Sequence, residues 1–184
     1  ATGIPDSHIV GLGTEKNYWI QERGISAIGD LRKSGPNTEL FYDRGIQKKC
    51  SNNCMPGCKC GRFIEFSNSL VINSEIKRNS DSIQPLGDPF TETVIGTERI
   101  AMIHQGAQSV FEIDSIKPLI TILRRHVRNT IPLETQIAYE RVIVDHLRGL
   151  YFLITDGAPP PGKDGRARII KMLIRRVATR QIIL

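Results

Sequence analysis

PFTETVIGTERIAMIHQGAQSVFEID, residues 89–114, changes character at a single glycine. Before Gly96, the residues Phe90, Thr91, Thr93, Val94 and Ile95 all favour an extended chain, because branched and aromatic side chains fit a pleated surface. After it, residues 98–105 are compatible with a helix. The predicted unit is a strand that enters a helix through Gly96. Arg99 falls at the helix start, beside backbone N–H groups with no helical partner, where a guanidinium can clamp a phosphate. Taken alone, Gly96-Thr97-Glu98-Arg99 also suits a plain surface charge pair.

Upstream, the apolar runs are short and Gly, Pro, Asn and Ser are frequent. Strands are expected over 39–43, 62–66 and 89–95, with 70–72 continuing or following the second. Turns are expected at Ser34-Gly35-Pro36, Met55-Pro56-Gly57 and Pro85-Leu86-Gly87-Asp88-Pro89. Short strands without long helices between them argue for an antiparallel sheet. Downstream, helical spacing predicts helices over 113–126, 135–156 and 168–180, with Pro118 in a first turn and Gly157 as a stop. The fold class is α+β: a sheet-rich half, then a helical half, with the boundary near residue 114.

The charge follows the same division. The chain has 184 residues and a net charge of +6. Residues 1–92 hold 11 basic and 11 acidic side chains; residues 93–184 hold 14 and 8. Lys163, Arg166, Arg168, Lys171, Arg175, Arg176 and Arg180 face only Asp164 in the last 22 residues. Such a block attracts a polyanion by releasing its counterions, or else forms a solvated helix face. At 40% apolar content the chain is globular rather than disordered. No stretch approaches the roughly 18 apolar residues of a membrane span, and residues 1–7 lack signal-peptide features, so a soluble cytoplasmic protein is expected. A chain that opens on Ala1 and closes on Ile182-Ile183-Leu184 is expected to be a fragment.

All four cysteines fall within eleven residues, Cys50, Cys54, Cys58 and Cys60. Four thiolates complete a tetrahedral zinc shell, and closed shells are structural. Pro56 and Gly57 supply the turn that gathers them, and Lys48, Lys49 and Lys59 offset their charge. The alternatives are disulfides, disfavoured in a cytosolic chain, or clustered free thiols. His104, His126 and His146 have no ligand-like grouping and read as ordinary structural or surface residues.

Residues 89–114 resemble the third signature motif of the class II aminoacyl-tRNA synthetases, and more particularly the alanyl-tRNA synthetases, where a D-T-G-x-G-x-E-R strand–helix precedes a Q-G-x-x-S-V-[YF]-E-T-D tract. The similarity runs in order along nearly the whole chain. Residues 9–19 resemble a segment ending in D-N-F-W, and residues 35–43 resemble G-P-x-x-E-I-F-Y-D. Residues 50–68 are similar to the cysteine-bearing insertion of archaeal-type members. Residues 141–148, then 156–157 and 165–176, resemble the stretch that opens the tRNA-recognition helices.

The resemblance implies the C-terminal half of a class II catalytic sheet over 1–113, with the insertion at 47–61 and the third motif at 89–105. Over 114–184 it implies the start of the tRNA-recognition domain. It implies an alanine–tRNA ligase that makes alanyl-adenylate from alanine and ATP with Mg²⁺, then charges the acceptor stem of tRNA(Ala). Arg99 would hold the ATP γ-phosphate and Gly96 would let the backbone approach the adenine. Glu39 and Glu65 would serve Mg²⁺ or the ATP hydroxyls, and Asn68 would meet the alanine ammonium. Glu92 and Val94 stand where the family has the Asp and Gly of its amino-acid pocket, and Phe66-Ser67 stands at the family's tryptophan. Lys163, Arg166, Arg168, Lys171, Arg175 and Arg176 would meet RNA, Gly162-Lys163-Asp164-Gly165 replacing an asparagine-containing loop. The zinc would be structural, on the four cysteines.

The first two signature motifs lie upstream in the family, so this stretch alone is expected to be inactive, and sticky along an unpaired strand edge. The missing N-terminal half of the core is then a partner; membrane and DNA are not. Two alternatives stand beside this reading: a split subunit or paralogue acting on another small amino acid, and a non-catalytic, zinc-stabilised RNA-binding module.

Overall fold

Four extended segments of the first half pair into one antiparallel sheet in the order β1-β2-β3-β4. They are β1 (Tyr18–Ile20), β2 (Leu31–Asp43), β3 (Phe63–Lys77) and β4 (Ile83–Ile95). The structure, a computed structural model, describes residues 3–21, 31–77, 82–127 and 131–184. A short helix, α1 (Thr14–Asn17), precedes β1, and α2 (Thr97–His104) follows β4. The second half carries α3 (Lys117–Arg124), α4 (Leu133–Thr155) and α5 (Gly165–Ile183). Two compact units result, 1–103 and 104–184, dividing ahead of the 113/114 change in sequence character. Together the sheet and helices make the α+β class that the sequence predicts.

Two expected turns lie inside strands instead. Ser34-Gly35-Pro36 sits within β2. Between the pairs Ser34↔Ser74 and Asn37↔Leu70, β3 carries one residue more than β2, and neither Gly35 nor Pro36 has a Cα partner on β3. Proline lacks a ladder donor and is tolerated at such an irregularity. Gly35 is needed for a different reason. A Cβ built on it would land on the backbone carbonyl oxygen of Val71. Gly35→Ala is therefore expected to destabilise the sheet unit by about 1–3 kcal/mol, against the gain of up to about 1 kcal/mol that a freely accommodated Gly→Ala change brings. Urea unfolding of the variant checks this, and unchanged or raised stability contradicts the close approach.

The second case is Pro85-Leu86-Gly87-Asp88-Pro89, inside β4. Here Ile72↔Phe90 is followed by Ser74↔Pro85, so residues 86–89 span a single β3 residue and bulge from the ladder. The turn chemistry acts, but it breaks the register rather than the strand. β4 is an edge, where a proline's missing N–H faces no neighbour. The two runs expected at 62–66 and 70–72 are one strand, β3.

The buried apolar residues of β3, Leu70, Ile72 and Ile76, lie at even spacing, as a strand with one covered face requires. Among the helices, α3 starts at Lys117 rather than 113, after a short 3-10 turn over Val110–Glu112. Gly157, at φ 76°, closes α4. Its N–H and that of Ala158 donate to the Ile154 and Leu153 carbonyls, the pairing that ends a helix on a left-handed glycine. No helix among the described residues is long and apolar enough to cross a membrane.

Candidate functional site

The strand register gathers the acidic and amide side chains on one sheet face. Glu39 lies opposite Asn68, and Asn68 opposite Val94, so one row crosses three strands. The next row is Asn37, Leu70 and Glu92. Residues directly opposite share a face, as do residues two apart. Glu65, three before Asn68, would ordinarily point the other way. It does not, because Phe66 is an extra residue between the pairs Leu40↔Ser67 and Phe41↔Glu65. That bulge re-phases β3 and brings Glu65 to the face of Glu39.

Gly96 ends β4, its N–H donating to the Phe66 carbonyl at 2.9 Å. The turn into α2 carries Arg99 back over β3. Its Nη1 donates to the Glu65 carbonyl at 2.7 Å and lies 3.6 Å from the Glu65 carboxylate. A Cβ on Gly96 would touch the Arg99 stem at 3.3 Å, so the glycine leaves room for that path. The guanidinium stays half exposed.

The Glu39 carboxyl is pushed above its ordinary range, first by burial and then by the Glu65 charge, with Lys16 opposing both. A raised carboxyl stabilises the fold below its unfolded value and loses that contribution as pH rises through the raised one, an effect that solvent screens here because Glu39 is exposed. Oδ1 of Asn68 and Oδ1 of Asn37 are buried and accept no hydrogen bond from the protein. Asn37 does donate from Nδ2 to Glu39, at 3.4 Å. Asn37 and Lys16 were not singled out by the sequence. The i, i+2 spacing of Asn37 and Glu39 on a strand was the available signal for the first, whereas Lys16 arrives through α1 with no local signal.

The cysteines form a second cluster. The sulfurs of Cys50, Cys54 and Cys58 lie within 4.8 Å of one another, and Cys60 Sγ is 3.6 Å from Cys54 Sγ. All four are free thiols. Met55-Pro56-Gly57 makes the expected turn, the Cys58 N–H donating to the Met55 carbonyl at 3.1 Å. The Cys50 thiol is pushed up to about 11, chiefly by hydrogen bonding to Cys54. Cys54 is held below the ordinary thiol value, chiefly by the Cys50 backbone and further by Arg62. This group of three sulfurs can hold a metal ion.

In the second unit, one face of α5 and the loop before it line a groove of about 450 Å³. Lys163, Arg168, Lys171, Arg175, Arg176 and Arg180 surround it; Arg166 does not. Arg180 is partly anchored, donating to the Arg176 carbonyl at 3.1 Å and standing 5.6 Å over the Tyr139 ring. Ile170 is buried and Leu173 and Val177 half-buried, but Ile174 is 40% exposed, so the apolar side of α5 is narrower than the sequence pattern suggests. Elsewhere, His146 Nδ1 pairs with Asp145 at 3.0 Å.

The family described as tRNA synthetases class II (A) matches residues 1–182. The chain belongs to that family. Its relatives include the alanine–tRNA ligase of Thermoanaerobacter sp. (strain X514), 37% identical over 179 residues, which cover 96% of this chain and 19% of that protein. The alanine–tRNA ligase of Leptospira biflexa serovar Patoc is 38% identical over 184 residues, 96% of this chain and 19% of its own length. That of Alkaliphilus metalliredigens is 35% identical over 185 residues, with 95% and 19% covered. The chain thus spans about one fifth of the length of the curated relatives it matches.

Proposed function

We propose that this chain is part of an alanine–tRNA ligase, supplying one side of the adenylation site and the first tRNA-contacting helices. The observation that carries the reading is the Glu39–Asn68–Val94 row with Arg99 folded back over Glu65, within a chain that belongs to the class II synthetases. In that reaction the alanine carboxylate attacks the α-phosphorus of ATP, a P–O bond forms, and pyrophosphate leaves. Catalysis of this kind rests on positioning and charge neutralisation. Asn68 Oδ1 and the Glu92 carboxylate are the acceptors for the alanine ammonium, and Val94 limits the room beside its methyl group. Glu39 and Glu65 serve the Mg²⁺ of ATP or its hydroxyls, and Arg99 takes the γ-phosphate. Residues 1–113 would form the catalytic-core part and residues 114–184 the start of the tRNA-recognition part. Alanine-dependent ATP–pyrophosphate exchange, in an enzyme of the relatives' full length, tests the assignment.

The groove suits the backbone of the tRNA acceptor stem, since its cations gather along one face of α5 and the loop before it. Arg175→Ala with Arg176→Ala is expected to lower affinity for tRNA. It should also flatten the slope of log K against log salt by up to about two phosphate contacts. A slope equal to the parent's removes the RNA assignment from this face and leaves a solvated helix.

The cysteines would hold one structural Zn²⁺. A tetrahedral shell with zinc–sulfur bonds of about 2.3 Å places its sulfurs roughly 3.8 Å apart. The Cys50, Cys54 and Cys58 sulfurs, within 4.8 Å of one another, and the Cys60 sulfur, 3.6 Å from that of Cys54, support this reading. Elemental analysis of protein purified without added metal is expected to give one zinc per chain. A folded, metal-free chain with four reactive thiols would refute it.

A further inference from the structure

Asn37 is the first residue of β2 to pair with β3 again after the irregularity at Gly35 and Pro36. It is held from two sides. Asn17, the last residue of α1, donates from Nδ2 to the Asn37 carbonyl at 3.3 Å, and its own Oδ1 accepts the Leu12 N–H at 2.8 Å. Asn37 is 9% exposed, whereas Glu39, next along the same face of β2, is exposed. Between them, Asn37 Nδ2 donates to Glu39 Oε1 at 3.4 Å. Turning the amide over would set its oxygen against the carboxylate, so the charge of Glu39 fixes which end faces it. The cost falls on the other end, where Oδ1 is buried and has no donor among the described residues. A buried acceptor without a partner costs about 1–3 kcal/mol, which an apolar side chain of the same shape avoids.

We propose that Asn37 is the positioning residue of Glu39: a buried amide, anchored through Asn17 to α1, that holds one oxygen of an exposed carboxylate so that the other is presented to the nucleotide. This role rests on the reading of Glu39 above, as a group that serves ATP through its Mg²⁺ or its hydroxyls. An exposed glutamate left to itself spreads over many rotamers, and ordering it for a ligand costs side-chain entropy at the moment of binding. A donor fixed in the sheet beneath it meets part of that cost in advance. The bond is long before the ligand arrives, and contacts of this kind tighten when the site is filled. Packing alone does not call for an amide here, since a leucine fills a similar volume and strands no oxygen.

The test compares Asn37→Leu, Glu39→Ala and the double variant, with kinetics and binding in an enzyme of the relatives' full length and stability in the chain itself. Asn37→Leu is expected to raise the KM for ATP in alanine-dependent exchange roughly 10-fold and to weaken calorimetric binding of ATP with Mg²⁺ by a similar factor, leaving the KM for alanine within about twofold of the parent. In the Glu39→Ala background the same change should cost less than about twofold, because the side chain it acts on is gone. The urea midpoint of Asn37→Leu should equal or exceed the parent's, since the stranded acceptor leaves with the amide. Asn37→Asp keeps the shape and loses the donor, so a rise in the KM for ATP is expected there even if Asn37→Leu folds poorly. Folded Asn37 variants with the parent's KM for ATP, or an equal loss with and without the Glu39 side chain, overturn the role of Asn37 alone. So does a urea midpoint that falls along with the ATP affinity, which makes Asn37 a structural residue. If Glu39→Ala leaves exchange and ATP binding unchanged, the reading of Glu39 falls and this inference with it.

Discussion

Arg99→Ala is expected to slow alanine-dependent ATP–pyrophosphate exchange by roughly 10²–10³-fold in a full-length enzyme, the loss that follows when one preorganised charge-assisted contact to a reacting phosphate chain is removed. The geometry explains why the effect should be large. Arg99 is held at one point by the Glu65 carbonyl, at 2.7 Å, while half of its side chain remains open. Such a guanidinium is oriented before ligand arrives and still has donors to offer. Arg99→Lys should recover part of the rate only, since it keeps the charge and loses the fork. Near-normal exchange by Arg99→Ala would remove the central residue of the adenylation reading. The weight would then pass to an RNA-binding module.

The largest stability effect is expected in the helical unit, at a pair that no sequence motif announced. Glu140 of α4 is 1% exposed. Arg124, at the end of α3, donates from Nε to both its oxygens at 3.1 and 3.0 Å and approaches with Nη2 at 2.9 Å. Gln136 adds a bond at 2.8 Å. Arg124→Ala leaves a buried carboxylate with a single amide donor. It should cost about 3 kcal/mol, the low end for a broken buried pair, because Arg124 is itself half exposed. Urea denaturation measures this. Replacing Arg124 and Glu140 together by Met and Leu should return much of the loss, as no charge is then stranded. A single variant within about 0.5 kcal/mol of the parent would show that water reaches Glu140 well enough to replace the arginine.

The sequence by itself determined the local elements. Branched residues before Gly96 and helix formers after it set the β4–α2 unit, because both preferences act within a few residues. The Cys50–Cys60 spacing likewise set the cluster, since a short loop with a turn at Gly57 has few ways to keep its sulfurs apart. Turn chemistry misled where a neighbour intervened. Ser34-Gly35-Pro36 and residues 85–89 have every local reason to turn, yet pairing with β3 extends the strands through them and leaves only irregular register. Only the tertiary structure decided which side chains share a face. The bulge at Phe66 puts Glu65 beside Glu39, and strand periodicity alone would have separated Glu65 from Asn68. The same holds for Arg62 with Asp43, 19 residues apart, and Arg124 with Glu140, 16 apart. Contacts at such separations follow from register and helix packing, which are properties of the assembled chain and of no single segment.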